Sequence, residues 1–197
     1  MKPIDPSGFE AMFRENADPW DYATSPFEAS KRDTLLKACG AKTYGRGLEL
    51  ACANGETTLR LAERCLSLLA VDSSETVVRE AQRRTSHLTH VTVTQAVLPA
   101  ETPTGPFDLI VASEILYYLP EADMMDLLLR LQRALVPGGR FVCLHHIVPF
   151  ADASQPPAIA QKRAKAFFAR SMPVSVQLRT SRFEVFAVDK PRGVQLD

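Results

Sequence analysis

Beyond residue 46 the chain alternates short apolar runs with amphipathic stretches. Runs at 47–51, 66–71, 91–95, 107–113 and 139–145 predict strands, and the segments 57–65, 75–84 and 124–135 predict helices between most of them. In the first of these helices Leu59, Ala62 and Leu66 share a face, the second is charged, and the third is strongly apolar and stops at Val136-Pro137-Gly138-Gly139. Leu109-Ile110-Val111-Ala112 is apolar at successive positions, so that strand must be covered on both faces, as helices cover a parallel sheet. The alternation therefore predicts an α/β fold with a doubly wound parallel sheet. The end of the chain departs from it. After a helix at 159–170, the stretches 174–178 and 183–188 are joined only by Arg179-Thr180-Ser181-Arg182. So short a link forces a hairpin and at least one antiparallel strand.

Ahead of the sheet, Pro3, Pro6, Pro19 and Pro26 interrupt a segment carrying Phe9, Phe13, Trp20 and Tyr22, which predicts a short amphipathic helix and then an aromatic loop. A helix at 27–38 follows and is closed by Gly40. The leader has too few apolar residues for a core of its own, so its aromatics must pack elsewhere, and a ligand cleft is the candidate. The expected organisation is one domain over 1–197, with a lid at 1–26, a leading helix at 27–40 and an α/β core at 41–197. At 197 residues and 46% hydrophobic, such a chain needs neither disulfides nor metals as staples.

Lys plus Arg and Asp plus Glu number 23 each, which removes the overall field that would gather nucleic acid or anionic lipid. The first residues are polar and proline-broken, and no later apolar run nears the ~20 residues of a membrane span. A cytoplasmic protein without nucleic-acid or membrane partners is expected, as a monomer or homodimer. Cys39, Cys52, Cys65 and Cys143 are far apart with no C-x-x-C, so they read as small hydrophobes rather than metal ligands.

Ligands of open α/β sheets bind beyond the carboxyl ends of the strands. The first such end is Glu49-Leu50-Ala51-Cys52-Ala53-Asn54-Gly55, where small residues admit a ligand closely and Glu49 supplies a carboxylate. A pyrophosphate would be repelled there; a cationic or amino-bearing ligand would not. Asp72, followed by Ser73, ends the second strand at the spacing of a ribose-binding acid. Capping of the next helix is the plainer role for either residue. Together the two acids, without a Gly-x-Gly-x-x-Gly, fit S-adenosylmethionine better than a nicotinamide dinucleotide.

Leu48-Glu49-Leu50-Ala51-Cys52-Ala53-Asn54-Gly55, Val71-Asp72, the run from Phe107 to Leu119 and Leu135-Val136-Pro137-Gly138-Gly139 resemble, in order, the landmarks of class I S-adenosylmethionine-dependent methyltransferases. Ser113-Glu114-Ile115-Leu116-Tyr117-Tyr118-Leu119, with Asp18-Pro19-Trp20 and Phe27-Glu28, resembles the NodS-type branch, named for a rhizobial N-methyltransferase of a deacetylated chitooligosaccharide. The resemblance implies a Rossmann-like, mostly parallel seven-stranded sheet and the product S-adenosylhomocysteine. It also implies that Glu49 faces the methionine amino end and that Asp72 holds the ribose. Two positions depart from the superfamily. Ala51 stands where a first glycine is usual, and alanine is expected to fit only with a negative φ. Ala96 and Val97 stand where relatives often carry an acid for the adenine amino group, leaving backbone, apolar packing and Gln95 to hold the base.

Ser113 and Glu114 follow the fourth strand, where the methyl should emerge. Glu114 is a candidate to accept a proton or hold an acceptor amine, its plainer role being to orient Tyr117 and Tyr118. His145 and His146 end the fifth strand and are expected to assist, with one ring near the acceptor; nothing around them has metal-site spacing. His87 and His90 read as solvated. Trp20 and Tyr22 are expected over the cofactor, and Lys31, or Arg32, at the methionine carboxylate, against the plainer reading of a solvated helix face. The expected activity is methyl transfer to a small hydrophilic acceptor, with an amine-bearing sugar leading. The alternatives are O- or N-methylation of another metabolite, or cofactor binding by a regulatory protein without catalysis.

Overall fold

The computed structural model describes residues 3–192; Met1, Lys2 and the tail beyond Arg192, counted above in the leader and core, lie outside the described residues. Seven strands form one sheet in the order β3-β2-β1-β4-β5-β7-β6. They are β1 (Tyr44–Leu50), β2 (Cys65–Asp72), β3 (Val91–Gln95), β4 (Phe107–Ser113), β5 (Leu135–His146), β6 (Val174–Arg179) and β7 (Phe183–Asp189). The first five pair in parallel, whereas β7 lies antiparallel between β5 and β6, as the short Arg179–Arg182 link requires.

Six helices accompany the sheet: α1 (Pro6–Glu15), α2 (Pro26–Cys39), α3 (Glu56–Ala62), α4 (Glu75–Thr85), α5 (Glu121–Ala134) and α6 (Pro157–Ala169). The unbroken apolar run of β4 explains the layering. Leu109 and Val111 share a cluster with Leu35, Leu36 and Leu61 of α2 and α3, while Ile110 and Ala112 share one with Leu127 and Leu131 of α5 and Phe168 of α6. Alternate side chains thus bury on opposite faces, each large one contributing about 1.5–3 kcal/mol. All four cysteines are buried, and burial pushes the Cys65 thiol up to about 11 and Cys39 to about 12, which keeps them protonated packing groups.

Three local expectations are corrected. Helix α3 ends at Ala62 and buries Thr58 and Leu61; Leu66 belongs to β2 and is 71% exposed, because the strand's alternation turns it away from the side where Cys65 is buried. Helix α5 does not stop at Val136-Pro137-Gly138-Gly139. It ends at Ala134, and β5 takes that turn in as an irregularity, its register to β4 slipping between Phe107↔Leu135 and Leu109↔Arg140. His90 is half-buried, with Nε2 3.1 Å from the Ala62 carbonyl oxygen, while His87 is exposed.

Gly55, the residue before α3, has φ 83°, and a Cβ there would stand 3.0 Å from the Ala81 Cβ and 3.1 Å from its Cα. Only glycine serves both the left-handed turn and the close approach of α3 to α4. Gly55→Ala is expected to destabilise the fold by about 1–3 kcal/mol, read as a lowered midpoint in urea unfolding; an unchanged midpoint would contradict this packing.

Candidate functional site

The order of the strands reverses between β1 and β4, so the loops after β1 and β4 diverge and leave a crevice between them. A cavity of about 490 Å³ opens there. Ala51, Ala53, Asp72, Ser73, Ala96, Val97, Ser113, Glu114 and His146 line it from the sheet side. Phe9, Phe13, Trp20 and Tyr22 line it from the leader. A recess of about 40 Å³ adjoins it, walled by Glu28, Lys31, Arg32, Glu49, Asn54 and Glu114 among others.

The loop after β1 holds the most unusual backbone. Ala51 and Ala53 have φ 53° and 46°, which corrects the expectation of a negative φ at Ala51. The loop is tied back to β2 by the Cys52 N–H to the Val71 carbonyl, 3.0 Å, so alanine is held left-handed at about 1–2 kcal/mol of strain. Asp72 completes the tie: its Oδ2 accepts the Ala53 N–H at 3.0 Å and its Oδ1 the Ser74 N–H at 3.0 Å. Burial raises its pKa in spite of these backbone bonds. Each oxygen keeps further acceptor capacity toward the cavity.

Glu49 is 3% exposed and its Oε2 has no hydrogen-bond partner. Burial, with the Thr58 hydroxyl close by working against it and the Asp72 charge adding to it, pushes the carboxyl up to about 8. Asn54, 1% exposed, accepts the Glu56 N–H on Oδ1 at 3.3 Å while its Nδ2 is unpartnered. A buried acceptor and a buried donor left open beside one loop are uncommon in native proteins and are what a ligand bearing both an ammonium and a carboxylate would complete. At the third strand end Ala96 and Val97 do reach the cavity, but the Val97 N–H already donates to Glu101 Oε2 at 2.6 Å. Gln95 donates to the Ser73 carbonyl at 2.9 Å rather than lining the cavity. The expected backbone and glutamine donors for a base are thus engaged elsewhere, and apolar surface remains.

Lys31 is not on a solvated face. It is 8% exposed and its ammonium lies 2.8 Å from Glu28 Oε2 and 2.7 Å from Glu114 Oε1. Burial opposes its charge, yet the two carboxylates raise its pKa. Arg32 donates to the Tyr22 carbonyl at 3.3 Å. Glu114, at φ 55°, accepts the Tyr117 hydroxyl at 2.6 Å and the His146 N–H at 2.9 Å on Oε2. Burial alone would raise its pKa, but Lys31 and these bonds bring it below the usual range. It orients Tyr117 and stays charged.

The two histidines separate by strand parity. His146 lines the cavity and is half-buried, its pKa lowered first by burial and further by Lys31 and Arg182, against the pull of Glu114. His145 points to the other side and is fully buried. Its Nδ1 lies 2.7 Å from Gln161 Oε1, and its Nε2 accepts the N–H groups of Ile115 at 3.2 Å and Leu116 at 3.0 Å. With two backbone donors aimed at Nε2, the ring is locked as the neutral tautomer that donates from Nδ1. The expectation that His145 assists the chemistry is therefore corrected: it pins the turn after β4 to α6.

The sequence missed Glu10. Its Oε2 accepts the Ser74 hydroxyl at 2.6 Å and the Thr76 N–H at 3.2 Å, and its Oε1 the Thr76 hydroxyl at 2.7 Å, fastening α1 to the first turn of α4. Those hydroxyls hold its pKa at about 2. Phe9 stacks edge-on against Tyr118 at 4.8 Å and Phe13 against Trp20 at 5.6 Å, so the leader roofs the cavity. A serine and a threonine in the first turn of a charged helix were the available signal for such a clamp.

The His145 arrangement has a measurable consequence. Burial lowers its pKa below 6.5, and Glu114 and Gln161 do not restore it. The unfolded chain therefore binds a proton that the folded chain refuses, and stability conferred by the neutral ring is present at neutral pH and lost as pH falls below about 6.5. His145→Gln should flatten the pH dependence of the denaturation midpoint between pH 7 and 5; an unchanged slope would contradict the assignment.

The model of the nodulation protein S (NodS) family matches residues 11–143. Nodulation protein S of Rhizobium tropici is 32% identical over 138 residues, covering 68% of this chain and 58% of that protein. The Azorhizobium caulinodans protein is 27% identical over 126 residues, covering 62% and 60%. The chain thus spans about three fifths of the length of these curated relatives. Among solved structures, the N-methyltransferase NodS from Bradyrhizobium japonicum WM9 in complex with S-adenosyl-L-homocysteine superposes with a TM-score of 0.79 at 22% identity, covering 93% of this chain and 98% of that one. A Pseudomonas syringae protein solved as a candidate methyltransferase does so at 0.70 and 32% identity, covering 83% and 99%. With the family match extending over more than half of its length and the methyltransferase sheet intact, the chain belongs to the nodulation protein S family of class I S-adenosylmethionine-dependent methyltransferases.

Proposed function

We propose that the chain is an S-adenosylmethionine-dependent N-methyltransferase acting on a small hydrophilic amine, with an amino sugar as the leading acceptor. The observation that carries the reading is the open carboxylate oxygen of Glu49, buried where the β1 loop meets the crevice. A cationic amine is the chemistry that satisfies it, and Asn54 beside it offers an unpartnered donor to a carboxylate. When bound, the cofactor supplies a methyl group on a sulfonium and leaves as S-adenosylhomocysteine.

The remaining roles belong to the chain. Asp72 and Ser73 take the ribose hydroxyls, and Ala96 and Val97 flank the adenine through apolar contact. Lys31 and Arg32 lie on the recess that would take the methionine end. Trp20 and Tyr22, with the rest of 3–26, exclude water as a lid, which strengthens every electrostatic contact beneath it. Ser113 borders the reacting end. Glu114, kept charged by Lys31, draws and orients an amine better than it accepts a proton. His146 is neutral at neutral pH and sits on the cavity wall, so it takes the proton that the amine gives up.

Incubation of the protein with S-adenosylmethionine and a panel of amines, amino sugars and phenols, read by product mass, should give a 14-dalton increment on amines, the mass of one added CH₂ unit on the order of a methyl-for-hydrogen exchange. Turnover of phenols alone would redirect the reading to O-methylation, and binding without turnover to a regulatory role. S-Adenosylhomocysteine should bind in calorimetry, weakened by about 1–3 kcal/mol in Asp72→Asn. Tight nicotinamide-dinucleotide binding with none of the sulfonium cofactor would overturn the reading. Because Glu49 holds a proton below about pH 8 and a cationic amine prefers the ionised form, binding at pH 7 should release a proton to the buffer, and Glu49→Gln should abolish that release.

His146→Asn should lower kcat about 10²-fold while leaving S-adenosylhomocysteine affinity unchanged. Equal losses in kcat and cofactor affinity would instead mark His146 as structural.

A further inference from the structure

Arg182 lies on the turn between β6 and β7, and its backbone oxygen accepts the Ile147 N–H at 2.9 Å, which fastens that turn beside the end of β5. Its guanidinium carbon stands 3.5 Å from the centre of the Phe27 ring. Both residues line the 490 Å³ cavity, as does His146. Stacking fixes the plane of the guanidinium and leaves its N–H edge open.

No carboxylate among the described residues pairs with Arg182, although the other cation of this cavity is amply paired: Lys31 is held by Glu28 and Glu114. Asp152 lines the same cavity on the leader side, where its backbone oxygen accepts the Ile4 N–H at 3.1 Å, and it forms no ion pair with Arg182. The two cations of the cavity are therefore unequal. Both cations stand against the Phe27 ring, the Lys31 ammonium at 5.6 Å from its centre; that ammonium is shared by two carboxylates, whereas the exposed Arg182 guanidinium has no carboxylate partner among the described residues, and His146 lines the same cavity.

We infer that Arg182, seated on Phe27 and neighboured by His146, is a specificity-determining anion site, so that the acceptor carries a carboxylate or phosphate in addition to the amine that is methylated. The inference rests on the amine-methylating reading above and narrows its substrate class. An acceptor lying with its amine toward Glu114 and its anion toward Arg182 meets an opposite charge at each group. A carboxylate or phosphate can accept two parallel bonds from the open edge of the guanidinium, which a sugar hydroxyl cannot.

The test uses the full chain saturated with S-adenosylhomocysteine and two matched pairs of probes: n-propylamine with β-alanine, and glucosamine with glucosamine 6-phosphate. Calorimetry should show the anionic member of a pair binding about tenfold tighter or more, on the order of a charge-assisted bidentate contact. Preference in the first pair alone assigns the site to carboxylates, and in the second alone to phosphates. Arg182→Gln should erase the preference and Arg182→Lys retain part of it, with S-adenosylhomocysteine affinity and thermal midpoint unchanged in both. Equal binding within both pairs, a preference that survives Arg182→Gln, or no binding of any probe at millimolar concentration would overturn the anion site while leaving the cofactor reading intact. Loss of S-adenosylhomocysteine binding by the unmodified chain would instead overturn the methyltransferase reading itself.

Discussion

Three elements meet on the carboxylate of Glu114. Lys31 reaches it from α2, Tyr117 from the turn after β4, and the N–H of His146 from the end of β5. A carboxylate this secluded would be neutral in an apolar setting, and the ammonium of Lys31 is what keeps it ionised. The dependence is mutual, since Lys31 is itself only 8% exposed. Removing one member of such a cluster leaves a stranded charge at about 3–5 kcal/mol, so the positions of α2, the tyrosine turn and the β5 terminus are one interaction rather than three. The crevice inherits its shape from that joint.

The backbone around the crevice is strained in the same places. Ala51, Ala53 and Glu114 all have left-handed φ, and all follow β1 or β4, the two strands that flank the reversal of strand order. A strand that runs on in extended geometry would carry its end over the crevice and fill it. A left-handed residue turns the chain aside within one or two positions, at about 1–3 kcal/mol each, and the surrounding bonds must hold it there. Asp72 does so for the first loop through the Ala53 N–H, and the Leu144 carbonyl does so at the second by accepting the Glu114 N–H at 3.1 Å. Residues whose side chains would hold a ligand are thus also the residues that keep the loops bent.

Legibility in the sequence followed the same division. Strand 107–113 was readable to the residue, since burial on both faces writes the apolar run 109–112, and strand 91–95 because valine and threonine alternate along an edge strand with one buried face. Glu49 and Asp72 were readable because strand ends are marked by where the run stops. Choosing between His145 and His146 required the parity of β5, and two adjacent imidazoles carry no information about which face a helix covers. The carboxylate cluster around Lys31 was not legible, because a lysine beside an arginine on a helix normally faces solvent and its partner Glu114 is remote in sequence. The sign of φ at Ala51 was misjudged for a related reason. Glycine's usual presence signals a left-handed turn, but tertiary ties to β2 can hold alanine in the same geometry. Arg182 gave no local signal because it is defined by a partner from another element, Phe27, and for Glu10 the only signal lay on its partner, the serine and threonine that open α4.

One residue, Ser74, ties the leader's Glu10 to the loop after β2. Ser74 donates its backbone N–H to Asp72 and its hydroxyl to Glu10, so the carboxylate proposed for a ribose and the carboxylate that clamps α1 are joined through one residue. Glu10 holds its pKa at about 2, against about 4.5 in an open chain, so the clamp is formed throughout the neutral range and is lost only as pH falls from about 4.5 toward 2. Protonation is therefore excluded as its release under ordinary conditions. A ligand that contacts Asp72 touches the same junction, and it can favour one position of the leader only by binding that position more tightly than another. The roof formed by Phe9, Phe13 and Trp20 is thus fastened to the strand-end loops twice, by the hydrogen bonds of Glu10 to α4 and by the edge-on contact of Phe9 with Tyr118.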